Sequence, residues 1–307
     1  MNYVDLCLQP KNNFLLNFKG GMRGLSLSIP GKDDSPLVKQ LNIQNYSNLI
    51  LRTQGHLVEI YDGTPKFGAF GKIYLGKYNG ISCLIKVSYD DILNATCLDY
   101  KNLFIELNNI MSQNKIIPTI FSYNYISDFD TIQTSNKIYE KNEYIDKINF
   151  NSYQCIYIMC MEQYAYDLHD IYMNNLLEKN KVIIETKLME MFNKLIKLKY
   201  FFVDIKLENI VVNLIDKNVS DLKIIDIDPK FCLSYDTLFD MSILEESDIN
   251  NLIMAIYKQI FYFRSASILF ENNESIIEIF NRFSAILKNK KEAVFMLSNL
   301  HKLLFMR

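Results

Sequence analysis

Hydrophobic and polar positions along the chain change rhythm once, and that change organises everything else. Leu57–Tyr61, Lys72–Lys77 and Ser82–Ser88 are short runs rich in apolar and β-branched residues, separated by glycines, which predicts an antiparallel sheet. A helix follows, because Tyr100, Leu103, Phe104, Leu107, Ile110 and Met111 keep the i, i+3, i+4 spacing of one buried stripe. Two more strands are expected at Ile120–Ile126 and Cys155–Met161. The stretch between them, around Lys137–Lys147, is polar and charged and reads as an exposed insertion. The second half is mainly helical. Leu188, Met191, Phe192, Leu195 and Leu198 mark one amphipathic helix, and Leu252, Ile253, Ile256, Ile260 and Phe261 mark another. Ala293–Phe305 is expected to close the chain as a further helix. A strand-rich half before a helix-rich half implies an α+β chain of two lobes with a cleft between them. Residues 1–53 carry scattered Gly, Pro, Asn and Ser with little periodicity and read as an irregular extension or cap, ahead of lobes at 54–162 and 163–307.

Composition narrows the class. With 49% hydrophobic and 22% charged residues over 307 positions, the chain has enough apolar content for a substantial core. A net charge of −2 gives no general attraction to nucleic acid or acidic membranes, so neither is an expected partner. No apolar stretch is long enough to span a bilayer, since Lys258 and Gln259 interrupt the best candidate, Leu252–Phe263. The first twenty residues lack a basic region followed by an apolar one, so no signal peptide is expected. Cys7, Cys83, Cys97, Cys155, Cys160 and Cys232 show no metal-type pairing and read as free thiols of an intracellular, cytoplasmic protein. His56, His169 and His301 lack ligand spacing, which argues against a metallohydrolase.

Four segments carry candidate chemistry. Lys66-Phe-Gly68-Ala-Phe-Gly71-Lys-Ile73-Tyr-Leu-Gly76 places glycines between two strands, where backbone can fold closely over phosphates or simply turn. Leu84-Ile-Lys86-Val sets a lysine in an apolar strand. Burying an ammonium asks for an anion, and Glu106 on the predicted helix is the natural partner, although Lys86 at a strand edge can also snorkel to solvent. Asp204-Ile-Lys206-Leu-Glu-Asn209 lies between a helix and an apolar strand. A loop there can aim a carboxylate, an ammonium and an amide oxygen at one point, as phosphoryl transfer requires, or can simply be a charged surface loop, which the apolar residues on both sides disfavour. Finally, Asp226 ends the apolar run Leu222–Ile225, where a hard oxygen ligand can meet Mg²⁺. Asp228 is either a second ligand or a turn residue before Pro229.

Taken in order and spacing, these segments resemble the protein kinase superfamily over roughly residues 57–262. The resemblance implies a two-lobed fold, an antiparallel-sheet N-lobe with a mainly helical C-lobe, that binds ATP and Mg²⁺ and phosphorylates serine or threonine of a protein substrate. It assigns nucleotide binding to Gly68, Gly71, Ile73 and Lys86, with Glu106 as the ion-pair partner. Met161 matches the gatekeeper, the backbone of Glu162 and Tyr164 the adenine-binding hinge, and Asp167 a ribose contact. Asp204 matches the catalytic base, Lys206 the γ-phosphate lysine, and Asn209 and Asp226 the metal ligands. Asp248, in Ser247–Leu252, matches the carboxylate that braces the catalytic loop.

The match departs in informative places. Lys66 stands for the first glycine of the loop, and Phe202-Val203 precedes the catalytic Asp where His-Arg is usual. Without that Arg, control by phosphorylation of an activation loop is not expected. Only 22 positions separate Asp226 from Asp248, with no Ala-Pro-Glu between them. Such trimming is similar to that of divergent kinases of large DNA viruses and some bacterial effectors. That suits the heavy use of Asn, Ile, Lys and Tyr and extends the expected location to a host cytoplasm or virion. Two rivals stay open: a small-molecule kinase of the aminoglycoside or choline type, which Asp226-Ile-Asp228 suits, and a pseudokinase acting as a binding module.

Overall fold

The computed structural model describes residues 49–305, apart from 54, 61–65, 69–70, 92–95, 126–130, 134–137, 141–153, 243, 272–273 and 289. The expected extension up to residue 48, and the expected insertion beyond Glu140, lie outside the described residues. What is described forms two compact units. One takes the described parts of Gly21–Asp99 and Thr119–Gln163; the other takes those of Tyr100–Pro118 and Tyr164–Arg307.

The first unit is a sheet. Its strands are β1 (Leu49–Thr53), β2 (His56–Ile60), β3 (Lys66–Gly68), β4 (Gly71–Tyr78), β5 (Ile81–Asp91), β6 (Ile120–Tyr125), β7 (Thr131–Gln133), β8 (Ile138–Glu140) and β9 (Gln154–Met161). They run in the order β6-β9-β5-β4-β2-β1-β7-β8, with β3 paired to β4 off that path. Every pairing is antiparallel. Asn79 and Gly80 close the β4–β5 hairpin with φ of 48° and 82°, the paired positive dihedrals that match strand twist in a two-residue turn. Gly76 serves a different need. A Cβ there would fall 2.1 Å from the Glu59 carbonyl oxygen and 2.4 Å from Ile85 Cδ1, so only a bare Cα lets β2 and β4 lie side by side at this point. The buried residues of this unit include Val58, Ile60, Tyr74, Cys83, Ile85, Ile158 and Cys160.

One expectation needs correction here, and one gains detail. Leu49–Thr53 is not irregular but pairs with β2 and β7, because Gly55 at φ 84° sits in the short connection that folds Leu49-Ile-Leu-Arg-Thr back on His56–Ile60. Within the expected polar insertion, Ile138–Glu140 forms β8 against β7, where β-branched Ile138 and aromatic Tyr139 favour a strand.

The second unit is mainly helical. It contains most of α1 (Thr96–Gln113), then β10 (Tyr166–Asp167), α2 (Leu168–Met173), α3 (Lys181–Lys197), β11 (Tyr200–Phe202), β12 (Ile210–Ile215), β13 (Asn218–Ile224) and β14 (Cys232–Ser234). Then come α4 (Tyr235–Leu238), α5 (Glu246–Arg264), α6 (Ile276–Ile286) and α7 (Lys291–Phe305). The helix α3 buries Ile184, Leu188, Met191, Phe192, Leu195 and Ile196 along one stripe, while Lys194 and Lys197 in its last turn face the negative end of the dipole. Its Phe192 packs on Tyr257 and Phe261 of α5, with ring centroids 4.7 and 5.6 Å apart. On the other side of that core, Phe201 of β11 meets Phe283 of α6 at 5.1 Å. These rings form the floor on which the loop of residues 203–209 is laid. Asn180, buried at the start of α3, ties the helix to the β12–β13 hairpin by accepting from Val219 N and donating to Lys217 O.

Candidate functional site

The loop from Val203 to Asn209 is pinned at both ends and along its length. At its start, β11 pairs with β14 through Tyr200↔Ser234, Phe201↔Leu233 and Phe202↔Cys232, and Val203 N donates to Phe231 O at 2.8 Å. Val203, Ile205 and Leu207 point into the core and are buried. This alternation leaves Asp204 and Lys206 on the opposite side, with side chains 28% and 32% exposed. At the far end, residues 207–209 form one 3₁₀ turn, and Ile225 N donates to Asn209 O at 2.9 Å. That bond sets Asn209 beside the segment carrying Asp226.

Three polar groups meet on this loop, with the Asn209 amide nitrogen rather than its oxygen turned to Asp204. Lys206 Nζ stands 3.1 Å from both carboxylate oxygens of Asp204. Asn209, itself buried, donates its amide Nδ2 to Asp204 O at 2.8 Å and to Asp204 Oδ2 at 3.0 Å. Burial is the main influence on Asp204 and raises its pKa above the ordinary carboxylate value. Lys206 and Asn209 pull it down, and the neighbouring charge of Asp226 pushes it up. Asp226 is exposed and takes φ 60°, a left-handed conformation that Asp tolerates better than most residues and that concentrates at functional sites. The Asn209 side-chain oxygen and the Asp226 carboxylate are hard oxygen donors, the type that suits a hard divalent cation. Among the described residues no group of three or more His, Cys, Asp or Glu is placed to hold a metal.

Asp228 makes a turn. Its Oδ1 accepts from Lys230 N at 2.8 Å, and its carbonyl accepts from Phe231 N and Cys232 N, folding the chain back toward β14. In the same unit, α1 reaches this segment through Asn108, which is buried and donates to Ile227 O at 3.3 Å and to Phe104 O at 2.8 Å. Glu106 is exposed on α1, on a face that with Asn102, Ile105, Asn109, Ile110 and Gln113 lines an open cavity of about 400 Å³. Its charge contributes to raising the Tyr200 pKa, after burial and Cys232. Tyr164, buried, donates its hydroxyl to Asp221 Oδ2 at 2.5 Å. Asp167 is the N-cap of α2: its Oδ1 accepts from Asp170 N at 2.7 Å and Asp170 answers in a reciprocal capping box.

The other predicted positions belong to the sheet unit. Gly68 and Gly71 face each other across the β3–β4 pairing. Ile73 and Met159 are the cross-strand partners of half-buried Lys86 on either side. Met161 is buried at the end of β9, opposite Leu84. Glu162 N donates to Thr119 O at 2.8 Å, and the Glu162 carboxylate accepts from Thr119 N and Oγ1 at 3.1 Å.

One expectation fails. Asp248 does not brace the loop; it is exposed in the first turn of α5, where a carboxylate is favoured by the positive end of the helix dipole. The contact belongs to Tyr257, whose hydroxyl accepts from Phe202 N at 3.0 Å in a fully buried setting. Sequence reasoning passed over Tyr257 because it falls on the apolar stripe of α5. The only available signal was a hydroxyl among residues that are otherwise aliphatic or Phe.

No protein-family model matches the sequence, and no curated protein does. Among solved structures the chain is similar to a BubR1 kinase domain, at 15% sequence identity and a TM-score of 0.40, over 89% of this chain and 74% of that one.

Proposed function

We propose that this chain is an ATP- and Mg²⁺-dependent phosphotransferase acting on serine or threonine hydroxyls of a protein. The observation that carries the reading is the convergence of Asp204, Lys206 and Asn209 on one pinned loop, with the Asp226 charge beside them. In this reading Asn209 and Asp226 hold Mg²⁺, which when bound neutralises charge on the phosphates. Asp204 orients the attacking hydroxyl and accepts its proton as the bond to phosphorus forms. Lys206, already at the carboxylate, offsets negative charge on the transferred phosphoryl group. Lys86 and Glu106 are assigned to the α- and β-phosphates, Gly68, Gly71 and Ile73 to the cover over them, and Met161, Glu162, Tyr164 and Asp167 to the nucleoside. Because the Glu162 amide is committed to Thr119, its carbonyl is the group left to meet adenine.

The small-molecule alternative draws on Asp226-Ile-Asp228 and on the short segment after Asp226, whereas Lys206 beside Asp204 supports the protein-kinase reading. The test is transfer of labelled γ-phosphate from ATP, with Mg²⁺, to a panel of proteins and small hydroxylated compounds, comparing wild type with Asp204→Ala. Label on protein serine or threonine with wild type alone is the expected result. Equal transfer by a folded Asp204→Ala protein would sink the assignment.

A further inference from the structure

Resting on the phosphotransfer reading, we infer that Tyr257 is a positioning residue: its hydroxyl is the buried anchor that fixes the Asp204 loop in register. The geometry is specific. Phe202 N lies two residues before Asp204 in a segment whose side chains, Phe201, Phe202 and Val203, are all fully buried. A backbone amide in that setting has no access to water and needs a partner from the protein. The partner comes from α5, fifty-five residues away in sequence, through Tyr257 Oη at 3.0 Å. The next amide, Val203 N, is held by Phe231 O at 2.8 Å. Two successive amides are therefore clamped from two different elements, α5 and the chain leading into β14, just before the reacting carboxylate. The tyrosine ring is in turn wedged between Phe192, at 4.7 Å, and Phe201, at 5.7 Å, so the hydroxyl cannot swing away from the amide it holds.

Placement matters because a displacement of about an ångström at a catalytic group is enough to cost on the order of a hundredfold in rate. A phenylalanine at this position keeps the ring packing and removes the hydroxyl, and with it the acceptor of the Phe202 amide. The Tyr257→Phe protein is expected to lose tenfold or more in kcat with the KM for ATP within twofold, and to exchange backbone amide hydrogens faster across residues 200–209. Phe283→Leu is the control: it loosens packing on Phe201 in the same core without touching the Phe202 amide, and is expected to keep kcat and the exchange pattern of that loop. Both variants lower the melting temperature by a few degrees, so stability alone does not separate them. A Tyr257→Phe enzyme with wild-type kcat overturns the inference, as does an equal loss of kcat in Phe283→Leu. If wild type transfers no phosphate, the phosphotransfer reading falls, and the exchange comparison still decides the anchor. Faster exchange in Tyr257→Phe alone upholds it, and unchanged exchange overturns it.

Discussion

Burial makes the ionised form of Asp204 expensive, a cost that the phosphotransfer reading explains by giving this carboxylate the role of base. Its folded pKa is raised, so between the ordinary carboxylate value and the folded value the native state holds more protons than the unfolded chain. Stability from this group is therefore largest at low pH and declines as pH rises through that window. Asp204→Asn is expected to abolish transfer yet raise the melting temperature at neutral pH; a lower melting temperature would show that the carboxylate stabilises the fold. Under the phosphotransfer reading, rate runs the opposite way, because a carboxylate acting as base must be ionised. The acid limb of kcat/KM should stand above the ordinary carboxylate range, and Lys206→Met should move it to higher pH, since Lys206 lowers the Asp204 pKa. A limb that stays in place or moves to lower pH would separate Lys206 from Asp204. At this scale the sequence was informative, because Asp204, Lys206 and Asn209 lie within six residues and one loop suffices to gather them. Tyr257 was not legible, since its partner is a backbone amide and amides leave no trace in residue identity.

Elements were legible where one period ran long enough. The strands β4, β5 and β9 and the helices α3, α5 and α7 lie on the expected runs and mostly extend past them, except that Leu198, expected on α3, is the residue that caps its end. The two short strands that the pattern did not announce have a shared cause. Leu49–Thr53 is five residues with a partner on each side, and Ile138–Glu140 is three; such runs become strands through pairing supplied by the rest of the sheet rather than through their own pattern. Gly76 shows the same dependence. Its segment was read for glycines that cover phosphates, but the constraint on Gly76 is the Glu59 carbonyl on the neighbouring strand. Gly76→Ala is expected to cost roughly 3 kcal/mol, the upper end for overpacking. Chemical denaturation checks it; a loss below ~0.5 kcal/mol would mean that β2 can move aside at almost no cost.

For the molecule as a whole, the phosphotransfer reading separates binding from chemistry. ATP with Mg²⁺, at a hundredfold over its Kd, should stabilise the wild-type chain by about 2.7 kcal/mol. Asp204→Ala should keep that gain, whereas Asp226→Asn should lose most of it; equal gains in all three proteins would remove Asp226 from the metal site. No described helix is long and apolar enough to cross a membrane. Both units also carry shielded sulfur. Cys83 and Cys160 are buried in the sheet and Cys232 beneath the loop, where burial and then the charge of Asp228 push its thiol up. An alkylating reagent can reach these atoms only when the surrounding structure opens. Peptide-resolved alkylation over time therefore turns the three thiols into two internal clocks, one for each unit. If the clocks run at one rate, the units open together; if they diverge, the chain breathes in parts, and the slower one marks where its last resistance lies.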